Sequence, residues 1–278
     1  MRVFSLINKD GLSYELTEKK KAFLYNVEGL GYQRELEFQR IGEHFAIVDD
    51  HLAQSVITGS VKFWQPGAYE QFFKFSQFCQ NKPLKLAYTP NNGTTYFREG
   101  YVSKITKSES NSGVLGATVE FKATTPWYKV VSAYNSGEIT GGKVYDYTYD
   151  YQYSEGVLQT VIINSDSYEN SPAKITIYGP LVNPSWSHYL NNKLVATGKV
   201  NGVVERNNKL VIDTTTIPYT IRQYDMSDNL ISDMYQLSDF STYRFMMLGY
   251  GENIISVTQE GTGVIKLSVE AKIEYATV

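Results

Sequence analysis

The chain has 278 residues, 42% hydrophobic and 20% charged, with a formal net charge of -3. That is the profile of a soluble globular protein with room for one large β domain or two ordinary ones, and it argues against a membrane-surface or nucleic-acid binder that works by bulk charge. The single cysteine, Cys79, excludes an internal disulfide and a cysteine-based zinc site, and fits maturation in a reducing cytoplasm.

At the amino terminus the apolar run is too short for a signal peptide, and no later segment approaches the ~20 apolar residues of a membrane-spanning helix. Lys19, Lys20 and Lys21 form the only basic run, and with Glu15 and Glu18 beside them they read as a solvated turn. His44, Asp49, Asp50 and His51 crowd into eight residues. Two histidines seven apart do not share a strand face, so a solvated loop accounts for this cluster better than a metal site.

Strands are expected over 55–64, 84–89, 94–107 and 114–123, with hairpin turns at Asn91-Asn92-Gly93 and Asn111-Ser112-Gly113. The spacing predicts one clear helix, over 66–80. Pro66 stands at its first position, Ala68, Tyr69, Phe72, Phe73, Phe75, Phe78 and Cys79 supply the apolar residues, and Asn81-Lys82-Pro83 stops it. The apolar residues cover more than one stripe. One side therefore packs on a sheet, and the other, with Tyr69, Phe72, Phe73 and Phe75 as candidates, meets a second surface such as a neighbouring subunit.

Residues 132–143 are rich in residues that flex or turn and poor in core formers, which marks a domain boundary and gives domains over 1–131 and 132–278. Up to Tyr128 the chain carries 15 basic against 13 acidic residues, and thereafter 11 against 16, or +2 and -5. Just past the boundary Tyr145, Tyr147, Tyr149, Tyr151 and Tyr153 occupy every second position, so a strand there would put five phenols on one face. A phenol joins an apolar body to a hydroxyl that needs a partner. With Trp127, these tyrosines are therefore candidates for a domain seam or subunit interface, a sugar platform being the other use of such a row.

Beyond the row, turn signals recur at the spacing of a β-sandwich or jelly roll, and Ile265, Leu267, Val269, Ala271, Ile273 and Tyr275 alternate with polar residues in the clearest strand of all. No Gly-x-Ser-x-Gly elbow or phosphate loop is present. His188 reads as a strand residue near a surface aromatic, Trp186, which is itself a candidate for sugar stacking. Asp213, Asp225, Asp233, Asp239 and Glu252 could in principle furnish a glycosidase pair. Most sit beside turns, however, where short acidic side chains bond their own backbone. Cys79, on the apolar helix, is a small core residue. No catalytic, cofactor or metal site is expected.

The order of several pieces resembles the distal tail proteins of long-tailed, non-contractile phages and prophages. In the first half they are the strand pattern, the aromatic helix 66–80, the strand 84–88 and Thr125-Pro126-Trp127; in the second, the tyrosine row, Ser171-Pro172 through Tyr178-Gly179-Pro180, Asn183-Pro184, 210–213, Asp239-Phe240 and 251–255. The resemblance implies a mainly β chain, with an N-terminal α+β belt domain that forms a hexameric ring and a C-terminal galectin-like β-sandwich. It further implies a non-catalytic hub at the virion tail tip, made in the host cytoplasm, with one or two stacked rings. Its partners would be the major tail tube protein, a tail-associated lysin or fibre and, in some phages, a receptor-binding protein. The competing reading is a carbohydrate-binding module for host cell-wall polysaccharide, carried by the tyrosine row and Trp186.

Overall fold

The structure, a computed structural model, describes residues 2–17, 22–91, 93–109, 113–136 and 158–278. It is mostly β, with a single α-helix among the described residues, and that helix is too short and too polar to cross a membrane. The chain divides into two compact units, Met1–Lys129 with Tyr275–Val278, and Val130–Glu274. The tyrosine row at 145–153 lies outside the described residues.

In the first unit seven strands follow one another in antiparallel order: Ser13–Glu15, Val3–Ile7, Leu84–Thr89, Tyr96–Lys107, Val114–Ala123, Val56–Trp64 and Ala22–Glu28. Backbone bonds from Leu16 N–H to the Phe4 carbonyl and from Leu24 N–H to the Leu16 carbonyl bring the last strand of this order back towards the first. The inward positions, Phe4, Leu6, Leu24, Val61, Phe63, Leu86, Leu115 and Phe121 among them, are buried, as period-2 alternation requires of a sheet with one dry face.

The helix, Ala68–Gln80, begins after Gly67, whose φ of 92° suits glycine, so it starts two residues later than the proline at 66 suggested. It turns Ala68, Phe75 and Cys79 into the core, with Phe75 packed between Phe63 and Tyr14. Burial pushes the Cys79 thiol up to about 12, so it is an unreactive core residue.

The second unit is built from two antiparallel sheets. One runs in the order Lys266–Tyr275, Ser171–Tyr178, Asn208–Asp213, Thr220–Asp225, Leu230–Asp233. The other runs Gln159–Ser165, Gly251–Thr258, Ser185–Leu190, Lys193–Lys199. Each contributes buried alternate residues, which is the pattern of a β-sandwich. Ile265, just before the last strand, and Leu267, Val269, Ala271 and Ile273 within it are fully buried while Lys266 and Glu270 are exposed, so the expected alternation holds.

A polar knot sits inside this otherwise apolar core. Asn253, fully buried, donates to the carbonyls of Ile163, Gly249 and Gly251 and accepts from Gly249 N–H, and its Oδ1 lies 3.0 Å from His188 Nε2. Oδ1 can only accept, so His188 donates to it through Nε2. Desolvation holds its pKa below the ordinary histidine value.

Candidate assembly surface

Residues 34–52 do not form the solvated loop expected around the two histidines. They form a hairpin, Arg34–Ile41 against His44–Leu52, closed by Gly42-Glu43 with Gly42 at φ 63°. Nearly every residue in it is exposed. Cross-strand partners share a face, and the pairs Phe38 with Ile47 and Arg40 with Phe45, together with Leu36, make one face largely apolar. Phe38 is 53% exposed and Phe45 69%. At the base of this face Arg34 pairs with Asp50 at 2.8 Å.

The opposite face is acidic. His51 lies 3.0 Å from Asp49 and 3.3 Å from Glu35, with Glu37 opposite Asp49 in the register. No group of three metal-binding side chains is arranged to hold an ion among the described residues. A two-stranded hairpin is marginal on its own in water, and this one presents four large apolar side chains on one face. The hairpin was legible in outline, since Leu36 and Phe38 alternate with charges and Gly42-Glu43 separates them from Phe45 and Ile47.

The helix divides its four candidates. Phe75 is fully buried and Phe72 packs edge-on against Phe63, so Phe75 is corrected from a contact residue to a core residue. Tyr69 is partly exposed but engaged: its hydroxyl donates to Glu109 Oε2 at 2.7 Å, and Lys107 lies over its ring at 5.1 Å. Phe73, 62% exposed, is the open aromatic of the helix.

Both candidate tryptophans require correction. Trp127 is wholly buried in the first unit's core, where its indole N–H donates to the Leu30 carbonyl, Tyr88 packs on the ring at 5.9 Å and the Arg98 guanidinium lies 5.2 Å from it. It is not a surface offered to a neighbouring subunit. Trp186 is 1% exposed, its N–H donates to the Arg244 carbonyl, and its ring covers Gly198, where an added Cβ would lie 2.4 Å from it. It is no platform for a sugar.

The acidic residues behave as their turns suggested. Asp213 accepts from Thr215 N–H, Asp225 from Ser227 and Asn229, Asp233 from Tyr235 and Asp239 from Ser241, all between backbone positions two to four apart. Each of these four carboxylates has at least one oxygen engaged in shaping its own loop.

Residues 3–124 match the family model of the distal tail protein, N-terminal domain, and the match falls within the first unit. No curated protein sequence matches the chain. Among solved structures, a chain of the phage P2 baseplate in its activated conformation with calcium is similar at a TM-score of 0.63 and 15% identity, over 100% of both chains. The Dit protein of phage SPP1, described as a paradigm of the hub adsorption apparatus in phages that infect Gram-positive bacteria, is similar at 0.64 and 11% identity, over 98% of this chain and 99% of that one. Residues 3–124 thus match the distal tail protein N-terminal domain, and the fold of the whole chain is similar to that of these two phage proteins.

Proposed function

We propose that this chain is a structural hub of a phage tail tip, in which copies join through the first unit into a ring, six to a ring, around the tail channel. The second unit would act as a galectin-like outer domain facing the adhesion device. One ring face would receive the major tail tube protein and the other a tail-associated lysin or fibre, with a receptor-binding protein as a further partner of the outer domain. The chain would be made in the host cytoplasm and act in the virion, without catalysis.

The observation that supports this reading is that the family match and the uncovered apolar hairpin fall on the same unit. A ring gives every copy a neighbour, and so gives the hairpin a surface to cover its apolar face. The alternative, a carbohydrate-binding module carried by the tyrosine row and Trp186, loses Trp186 with the burial of its ring.

Light scattering after size exclusion is expected to give a mass near six subunits, or twelve if two rings stack, and electron micrographs a ring with a central hole. A strict monomer at every concentration and salt would overturn the assignment.

A further inference from the structure

The second unit carries an open groove of about 430 Å³, lined by Pro218, Tyr219, Arg222, Asp233, Gln236 and Phe245, with Tyr235 beside them. Its volume is in the range of roughly 300–1,000 Å³ typical of small-ligand clefts. One wall is aromatic: Tyr219 meets Phe245 at 5.3 Å and 60°, and Tyr235 stacks on Phe245 at 6.3 Å and 19°. Arg244 holds this wall in place, donating to the Tyr235 hydroxyl at 2.9 Å while its guanidinium lies 4.9 Å and 5.5 Å from the Tyr235 and Phe245 rings.

The facing wall is polar. Arg222 and Asp233 are direct cross-strand partners. Asp233 Oδ1 is taken by Tyr235 N–H at 2.9 Å, which fixes the carboxylate. Its Oδ2 stands 3.6 Å from Arg222 Nε, too far for a hydrogen bond, and that buried Nε has no hydrogen-bond partner among the described residues.

We infer that this groove is a binding site for a neutral saccharide. A carboxylate and a guanidinium side by side can accept from one hydroxyl and donate to the next on a sugar ring, with Gln236 able to do either. The negative face of an aromatic ring meets the polarised C–H face of a pyranose. The two charges cancel, so a simple anion would face Asp233 and a simple cation Arg222, whereas an uncharged polyhydroxyl ligand meets both walls without an unpaired charge. Trp186 does not line the groove but supports it, its indole N–H donating to the carbonyl of Arg244.

The test uses the full-length protein against an array of neutral mono- and oligosaccharides, with glycerol phosphate and an apolar peptide as the other arms, followed by titration calorimetry on the hits. At least one neutral saccharide is expected to bind in the micromolar-to-millimolar range. Tyr219→Ala and Asp233→Asn should each weaken that binding at least about tenfold with an unchanged melting midpoint, while Tyr168→Ala, an exposed aromatic remote in sequence, should leave it alone. Binding by no neutral saccharide, binding only to glycerol phosphate or the peptide, or saccharide binding indifferent to both groove variants would each overturn the inference.

Discussion

Glu274 and His188 bias the second unit's stability towards opposite ends of the pH scale. Burial pushes the Glu274 carboxyl up to about 7, with Glu169 adding to the rise and Lys272 opposing it. Between its ordinary value near 4.5 and about 7 the folded state holds a proton that the unfolded state has released, so this group's contribution is full below that window and is lost as pH rises through it. His188 has its pKa lowered by burial, so it stays neutral in the fold where the unfolded chain would protonate below about 6.5; its contribution is present above that value and is lost as pH falls. Glu274→Gln should therefore gain melting temperature relative to the natural chain as pH is raised from 5 to 8, measured by circular dichroism, and parallel curves would rule out a buried carboxyl. At this scale the sequence spoke clearly where chemistry is local, as in the turn aspartates that bond two residues ahead. Trp186 was opaque because the face it occupies depends on Gly198 across the sheet, which sequence spacing alone does not pair with it.

Among the elements, the last strand and the helix were readable because each buries one face and exposes the other, which writes a period into the sequence. The hairpin Arg34–Leu52 buries neither face within the chain, so its short alternation at Leu36 and Phe38 is masked by an acidic face and two histidines that imitate a polar loop. The same exposure makes it separable from the fold. Phe38→Asp combined with Phe45→Asp should leave the melting midpoint of the protomer nearly unchanged, since surface substitutions usually fall within about 0.5 kcal/mol. If the hairpin covers a neighbour, burying each ring is worth about 1–2 kcal/mol, so the double variant should weaken self-association by about thirtyfold to several hundredfold. Sedimentation velocity over a concentration series reads this directly, and an unchanged association constant would remove the hairpin from the interface.

The whole chain holds two cores, and the path between them is less simple than a single boundary near residue 131. The first unit ends at Lys129 but regains Tyr275–Val278, so the second unit is inserted into the first. Sequence alternation hid this, because Tyr275 continues the period of the strand Lys266–Tyr275 although its own ring packs edge-on against Tyr96 at 5.4 Å and lies 5.4 Å from the Lys129 ammonium, both in the first unit. Separate cores predict two calorimetric transitions rather than one. Phe63→Ala, which empties a fully buried aromatic site of the first unit, should lower one of them by about 3–5 kcal/mol and so identify it. Asn253→Ala, which unties the polar knot, should lower the other. Tyr275→Ala then decides the topology: although 275 ends a strand whose preceding residues belong to the second unit, its loss should move the transition marked by Phe63. If it moves the one marked by Asn253 instead, the carboxyl terminus is energetically part of the second unit and the insertion is one of geometry alone.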